Sequence, residues 1–455
     1  MHVELKRREP LFHTDPDAVH EALRKKLLVD GFSFVFDPVR SHGSRLVDAR
    51  TGEEYLDLFS FFASLPIGYN HPGMKDPAFL ERLTAVAASK PTNSDVYTQG
   101  LADFVAAFSR TLPALPGKPS PFDHLFFIEG GAAAVENTLK VAFDWKVQKN
   151  LRRGLSETVG SRVAHFENAF HGRSGYTLSL TNTFDPRKTR YFPKFDWPRI
   201  PTPSLRFPIT GEVQADVERR ERESIAALKD AVRVHRHDIA CVILETIQGE
   251  GGDNHFRPEF LRALRDVCDE DEMLLIFDEV QCGMGITGRW WAFEHAGVFP
   301  DIFSFGKKTQ TCGLAATRRC DDVDSVFKVP SRINSTFGGN LVDMVRCAHY
   351  IEIIEREGML ANAAKVGQAL LESLERIAAE FPALVSNVRG RGLMCAFDLP
   401  STEIRDRAKR ALFDERVIIL ACGSRSLRYR PVLDFSQADV EAAAERIVRA
   451  LRKLG

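Results

Sequence analysis

Two ionisable residues, each placed just after an apolar run, carry the clearest chemical information in the sequence. Asp278 follows the apolar run 273–277, and Lys307 follows Ile302–Phe305 with Gly306 between them. Short continuous apolar runs predict buried β-strands, so we expect both groups at the ends of neighbouring strands. A lysine amine forms a Schiff base with an aldehyde, and a carboxylate holds a ring nitrogen in its protonated form. Together they meet the main requirements for binding pyridoxal phosphate (PLP).

Each member of this pair also has an ordinary structural explanation. Asp278 could cap the loop after its strand, and Lys307 could be a solvated lysine beside Lys308. Schiff-base chemistry needs a neutral amine at some stage, and burial in an apolar pocket favours the neutral form. The chemical interpretation therefore depends on the remaining parts of a PLP site.

A phosphate-binding turn, a partner for the ring and a group for the substrate are the next requirements. Gly131 and Ala132 lie between a predicted strand and a predicted helix, where backbone N–H groups and the helix dipole attract a phosphate. Phe170 could stack on the pyridine ring, and Gln281 could reach the phenolic oxygen of PLP. Arg173 could bind a substrate carboxylate through two parallel hydrogen bonds. An ordinary β–α turn, a core phenylalanine and a surface arginine are the competing explanations.

The elements that would position these residues alternate between strands and helices. Continuous apolar strands separated by helices predict an α/β protein with a mostly parallel sheet that is buried on both faces. Ligands bind such a sheet beyond the carboxyl ends of its strands. The predicted strands are 125–128, 162–166, 239–244, 274–277 and 302–305, and the predicted helices include 133–146 and 258–269.

The two ends of the chain predict a smaller α+β lobe. The N-terminal part combines a helix at 19–28 with a hairpin of 32–37 and 45–48. In the C-terminal part a helical stretch, 345–381, breaks at Gly358, and strands 392–397 and 417–420 precede a last helix that opens with a capping box at 436–439. We expect segment 1–75 to contribute to the small lobe, 76–345 to form the large domain and 346–455 to form the C-terminal small domain.

The overall composition is typical of a globular enzyme without a strong electrostatic field. The chain has 455 residues, of which 44% are hydrophobic and 27% charged, and its formal net charge of -1 predicts no attraction to nucleic acid or anionic membranes. Eight cysteines without a CxxC pair or His–Cys cluster indicate reduced thiols and no metal site. The charged segment 1–10 lacks a signal-peptide core, and no apolar run is long enough to span a membrane, so we expect a cytoplasmic protein.

Five motifs in order resemble the class-III (ω-amino) aminotransferases, which have PLP fold type I. They are Gly131-Ala132, the run 170–173, Asp-Glu-Val-Gln at 278–281 with Gly306-Lys307, the run 335–340 around Thr336, and the run 427–431 around Arg428. The resemblance implies that Lys307, not Lys308, forms the Schiff base, and that Asp278 holds the ring nitrogen. It also implies an obligate homodimer in which Thr336 reaches the phosphate bound by the neighbouring subunit.

Longer runs resemble the branch of this family that transfers the terminal amine of L-lysine to 2-oxoglutarate. They are 90–97, 170–183, 194–198, 248–253 and 392–397. The resemblance implies a ping-pong reaction that yields 2-aminoadipate 6-semialdehyde and L-glutamate. Arg173 would bind the distant substrate carboxylate, Arg428 the near carboxylate of glutamate, and Glu250 would mask Arg428 while lysine is bound. Asn334 is implied as a further substrate-binding residue.

The sequence departs from the family pattern at three positions, and two other functions remain as alternatives. Gly130 stands where the family has Ser, Thr246 where it has Pro, and Cys282 where it has Thr, and none of these changes removes a catalytic group. An ω-aminotransferase for ornithine or 4-aminobutyrate is the nearest rival. A non-catalytic binding or regulatory protein with the same fold is the rival from a different class.

Overall fold

A computed structural model describes residues 12–115 and 117–454 as helices and strands in close alternation. The strands are β1 (Arg45–Val47), β2 (Glu54–Asp57), β3 (Phe122–Ile128), β4 (Arg162–Phe166), β5 (Arg199–Ile200), β6 (Ile239–Glu245), β7 (Leu274–Asp278), β8 (Ile302–Phe305), β9 (Cys312–Thr317), β10 (Ser386–Arg391), β11 (Met394–Asp398), β12 (Val417–Ile418), β13 (Leu420–Cys422) and β14 (Ser426–Tyr429). The helices are α1 (Val19–Arg24), α2 (Ser60–Ala63), α3 (Pro77–Ala87), α4 (Gln99–Ser109), α5 (Gly131–Leu151), α6 (Gly175–Leu180), α7 (Gly211–Val234), α8 (Pro258–Glu270), α9 (Leu341–Arg356), α10 (Met359–Glu380), α11 (Thr402–Asp414) and α12 (Gln437–Arg452).

A seven-stranded sheet forms the centre, with the strand order β3-β9-β8-β7-β6-β4-β5. The four pairings from β8 to β5 are parallel, whereas β9 is antiparallel to both of its neighbours. Six of the seven strands therefore point the same way, and their carboxyl ends share one edge of the sheet. The predicted α/β fold with a mostly parallel central sheet is confirmed.

Both faces of this sheet are covered, which explains why its central strands are continuously apolar. Ile243 and Ile276 point to the face that packs against Trp145 of α5. Their chain neighbours Val242 and Leu275 point to the opposite face, where they join a core with residues of α4 and α8. Successive side chains of a strand alternate between faces, so a strand buried on both sides needs apolar residues at every position.

The N-terminal strands pair with a strand from the far end of the chain. In a three-stranded sheet β2 lies between β1 and β12, and its pairing with β12 is parallel. A separate four-stranded antiparallel sheet has the order β10-β11-β14-β13. The predicted strand 417–420 is thus divided at Ile419 between two sheets. The division into lobes at residues 75 and 345 stays a prediction.

The predicted N-terminal hairpin forms in part. Residues 32–37 meet 45–48 at one antiparallel bridge, Phe36 to Asp48, beside which the Asp37 N–H donates to the Val47 carbonyl oxygen at 2.9 Å and the Ala49 N–H to the Val35 carbonyl oxygen at 2.7 Å. The longer ladder of β1 is with β2. The turn between β1 and β2 contains Gly52, whose φ of 76° suits a tight hairpin turn.

Several predicted features of the chain ends agree with the structure. Gly358 has a left-handed conformation and separates α9 from α10, and α12 begins with the predicted capping box at Ser436.

All eight cysteines are buried and form no disulfide. No helix of the described residues is both long and apolar enough to cross a membrane. The segment 1–10, on which the signal-peptide prediction rests, lies outside the described residues.

The close packing of Gly367 in α10 against the turn between β10 and β11 leads to a prediction about stability. A Cβ at Gly367 would lie 2.1 Å from the carbonyl carbon of Gly392, so a side chain has no room without moving backbone. We expect Gly367→Ala to lower the free energy of unfolding by about 1–3 kcal/mol, although alanine favours a helix over glycine.

Chemical denaturation monitored by circular dichroism measures this change. Gly211, in the first turn of α7, is a matched control, because a Cβ there meets nothing within 4 Å. Gly211→Ala should leave stability unchanged or raise it slightly. Equal stability of the two variants would show that α10 does not need this close approach.

Candidate active site

Five strands of the central sheet end around one cavity of about 210 Å³. Its lining combines six residues that the sequence singled out with four that it did not. The six are Gly131, Ala132, Phe170, Asp278, Gln281 and Lys307, and the four are His171, Gly172, Glu245 and Val280. The turns after β3, β4, β6, β7 and β8 supply these residues, as expected for a ligand site beyond the carboxyl ends of parallel strands.

Asp278, the last residue of β7, is buried and held by three donors. Its Oδ2 lies 2.8 Å from His171 Nδ1, and its Oδ1 accepts from Ser304 Oγ at 3.0 Å and from the Val280 backbone N–H at 3.0 Å. A carboxylate held from three sides has a fixed direction toward the cavity. The sequence analysis missed His171 as a partner, although it follows Phe170 directly in the motif.

The two adjacent lysines have different surroundings. Lys307 lines the cavity, and burial lowers the pKa of its amine although the negative charge of Asp278 opposes that shift. Lys308 is 1% exposed and donates from Nζ to the Gln281 carbonyl oxygen at 3.1 Å, and burial lowers the pKa of its amine to about 7. The structure therefore brings Lys307, and not Lys308, to the cavity.

The start of α5 forms a concave backbone surface at one end of the cavity. Gly130 precedes the helix with φ of 92°, and its lack of a side chain leaves the first N–H groups without a capping side chain. Gly172 packs so closely on this turn that a Cβ there would lie 2.5 Å from the Ala132 Cβ. Free N–H groups at the start of a 21-residue helix suit an anion such as a phosphate.

Glu245 is a buried acid that the sequence analysis did not single out. Its two carboxylate oxygens accept hydrogen bonds from the backbone N–H groups of Phe170 and Gly249, both at 2.9 Å. Burial raises the pKa of this carboxyl to about 7. Glu245 thereby ties the turn that carries Phe170 to the turn that carries Glu250.

Gln281 is oriented by two arginines from β14 and the residue after it. Its Oε1 accepts from Arg430 Nη2 at 2.9 Å, from Arg430 Nε at 3.2 Å and from Arg428 Nη1 at 3.3 Å. Arg430 forms a bidentate ion pair with Asp253, and both side chains are 1% exposed. The amide oxygen of Gln281 is thus fully used, which leaves its N–H groups for a ligand in the cavity.

Glu250 is clamped between two cations. Its Oε2 accepts from Arg428 Nη2 at 2.8 Å, and its Oε1 is bonded to Lys188 Nζ. Burial alone would raise the pKa of Glu250, but the charges of Arg428 and Lys188 outweigh it and hold the pKa below its usual value. Arg428 Nε is buried and has no hydrogen-bond partner in the described part of the chain.

Five predicted residues lie outside the lining of this cavity. Glu250 and Arg428 are two of them, and their pair contacts the lining through Gln281. The other three are farther from it in this chain. Arg173 is exposed on the loop after Gly172 and lies outside the lining. Asn334 and Thr336 are exposed on the segment before α9, and Asn334 lines a different cavity. The role expected for Thr336 involves a second subunit, so one chain does not test it.

The short helix α2 is a strained turn beside the site, and no sequence pattern predicted it. All four residues of α2 have positive φ, which makes this turn left-handed and costly for residues other than glycine. It is held from both sides: Ser60 Oγ donates to the Arg430 carbonyl oxygen at 2.5 Å, and Gln310 Nε2 donates to the Ser64 carbonyl oxygen at 2.8 Å. Backbone strain of this kind gathers at functional sites, where surrounding structure imposes it.

Comparison with known proteins agrees with this arrangement. The family description "Aminotransferase class-III" matches residues 29–451. The chain is 52% identical to L-lysine-epsilon aminotransferase of Mycobacterium tuberculosis over 442 residues, covering 96% of each chain. It is 48% identical over 440 residues to the enzyme of the same name from Streptomyces clavuligerus, covering 95% of this chain and 94% of that one.

A solved structure gives the same result in three dimensions. Lysine aminotransferase from M. tuberculosis, in the internal aldimine form, superposes with a TM-score of 0.93 at 51% identity, covering 97% of this chain and 100% of that one. Similarity of sequence and of fold therefore extends over almost the whole molecule. The chain belongs to the class-III aminotransferase family.

Proposed function

We propose that this aminotransferase uses PLP to transfer the terminal amino group of L-lysine to 2-oxoglutarate. The products would be 2-aminoadipate 6-semialdehyde and L-glutamate, formed in two half-reactions of a ping-pong cycle. The observation that carries the proposal is the pairing of Glu250 with Arg428, which also contacts the cavity residue Gln281, because this pairing would mask a carboxylate-binding arginine that lysine does not need. The identity of about 50% to enzymes named for lysine supports the same substrate.

The residues around the cavity fit PLP part by part. The free N–H groups of Gly131 and Ala132 would hold the phosphate, Phe170 would stack on the ring, and Asp278 would pair with the ring nitrogen. The N–H groups of Gln281 would donate to the phenolic oxygen. Bound PLP supplies an aldehyde that accepts an amino group and a ring that withdraws electrons from the reacting carbon.

Lys307 would hold the cofactor at rest and move protons during turnover. During turnover the Lys307 amine would remove the proton from the carbon that bears the transferred nitrogen. Removing a proton requires the neutral amine. Burial lowers the pKa of Lys307 and so shifts its amine toward that form.

The two substrates make different demands on Arg428. Lysine presents its terminal amine, and no carboxylate arrives near the cofactor, so Glu250 keeps the buried Arg428 charge paired. Glutamate presents its α-amine together with an adjacent carboxylate, which needs Arg428 for itself. Glu250 must then move away, because Arg428 cannot pair with the substrate carboxylate while it is still paired with Glu250. An unpaired buried charge in either state would be costly.

The residues outside the cavity complete the proposal. Arg173 would bind the distant carboxylate of both substrates, which requires its exposed loop to turn toward the cavity. Asn334 would contact the substrate. Thr336 would reach the phosphate bound by a neighbouring subunit, so we propose a homodimer with shared active sites.

A panel of amino donors tests the substrate assignment. With 2-oxoglutarate as acceptor, we expect the highest kcat/KM for L-lysine, followed by ornithine and then 4-aminobutyrate. Glutamate formation in a coupled assay gives the rates. A higher value for ornithine or 4-aminobutyrate would move the assignment to that donor, and no turnover with any donor would favour a binding or regulatory role.

Replacing each of the two adjacent lysines tests which one carries the cofactor. We expect Lys307→Ala, reconstituted with PLP, to lack the visible absorption band of lysine-linked PLP and to lose the half-reaction with either amino donor. Lys308→Ala, the matched control, should keep the band. If the band disappears from the Lys308 variant instead, the assignment of Lys307 is wrong.

Glu250→Ala tests the masking of Arg428. Without Glu250 the Arg428 charge has no carboxylate partner during the lysine half-reaction, so that half-reaction should slow by about tenfold or more, since each 1.4 kcal/mol is a factor of ten. The glutamate half-reaction, in which the substrate pairs with Arg428, should change little. Stopped-flow absorbance gives both rates, and their ratio is insensitive to general loss of cofactor. Equal losses in the two half-reactions would contradict the masking role.

A further inference from the structure

Lys188 is a second cation on Glu250 that belongs to none of the sequence motifs. It ends the short 3₁₀ turn Pro186–Lys188, and its Nζ is bonded to Glu250 Oε1, while Arg428 holds Oε2. The side chain of Lys188 is 24% exposed, compared with 89% for its neighbour Arg187. Lys188 is therefore turned in toward the site, whereas Arg187 on the same turn is largely exposed and pairs with Asp185.

From this contact we infer that Lys188 is a specificity-determining residue, because it holds the Glu250 carboxylate when that carboxylate leaves Arg428. This inference rests on the proposed function, in which Glu250 has to release Arg428 for glutamate and 2-oxoglutarate. Lys188 would act through Glu250 and would favour the glutamate half-reaction over the lysine half-reaction.

The geometry allows Glu250 to exchange one partner and keep the other. The two cations bind different oxygens of the carboxylate, so breaking the bond to Arg428 does not break the bond to Lys188. Arg428 is 5% exposed and is also bonded to Gln281, which holds it in place. Lys188 has a flexible four-carbon stem and sits nearer the surface, so it can follow the carboxylate outward.

The energetic consequence differs between the two positions of Glu250. In the observed position the carboxylate has two cationic partners, so losing Lys188 still leaves Arg428. In the released position Lys188 would be the remaining partner, and losing it would leave a half-buried carboxylate unpaired. Removing Lys188 therefore leaves one cation on Glu250 in the observed position and none in the released position. Because an unpaired charge is costly, the loss of Lys188 destabilises the released position more than the observed one.

Two other roles for Lys188 would give different results. Its positive charge could attract the anionic substrate directly, without Glu250. Its Nζ also lies 5.9 Å from the ring centroid of Phe170, so it could act by holding that ring against the cofactor. If Lys188 attracts the substrate directly, its effect persists when Glu250 is absent. If it holds the Phe170 ring, removing it alters the absorbance of the bound cofactor and the rates of both half-reactions.

The experiment measures both half-reactions by stopped-flow absorbance in the PLP-loaded enzyme and five variants, one of which is a double variant. Lys188→Met should slow the glutamate half-reaction by about five- to tenfold and leave the lysine half-reaction within about twofold. Lys188→Arg should restore most of the glutamate rate, since it keeps the charge. Arg187→Met, the matched control on the same turn, should behave as the wild type. In Glu250→Ala, adding Lys188→Met should change nothing further.

The results separate this inference from the proposed function. If the wild-type enzyme fails to react with lysine and glutamate, the proposed function fails. If the wild type reacts with both and Lys188→Met leaves the ratio of the two rates unchanged, the role of Lys188 is overturned and the function stands. A further loss in the Glu250→Ala background would also overturn it, as would a shifted cofactor spectrum in Lys188→Met.

Discussion

The arrangement of this site depends on keeping buried charges paired. Asp278, Glu245, Arg428 and Arg430 lie where water cannot solvate them, so each needs a partner with suitable geometry. Asp253 serves Arg430, and Gln281 joins Arg430 to Arg428. The result is a continuous chain of polar contacts beside the cavity that runs from Asp253 to Glu250 and Lys188, and moving one charged member of it leaves its neighbour without a partner.

In the proposed function, that constraint would let one site serve two unlike substrates. A carboxylate-binding arginine that stayed bare would penalise a substrate without a nearby carboxylate, and one that stayed masked would exclude glutamate. Glu250, which is paired with Arg428 in the structure, would release it when a substrate carboxylate arrives. Lys188, the second partner of Glu250, would then pair with the displaced carboxylate.

Much of the large domain could be predicted from the sequence because its physics is local. Mostly apolar runs of four to six residues predicted β4, β6, β7 and β8 to within one residue, and the glycine-rich turn marked the start of α5. The N-terminal hairpin was predicted only in part, because 32–37 and 45–48 share a single bridge and the longer ladder of β1 is with β2. Three site residues, Arg173, Asn334 and Thr336, lie away from the cavity in a single chain.

The sequence by itself determined which reactive groups stand at the strand ends, since a residue that ends an apolar strand is fixed there by the strand itself. Asp278 and Lys307 are of this kind. Only the tertiary structure decided which side chains face each other across the cavity. Glu250 and Arg428 are 178 residues apart, and Glu250 and Lys188 are 62 apart. Their contact depends on how loops and a second sheet are placed around the strand ends, which no local pattern of residue types encodes.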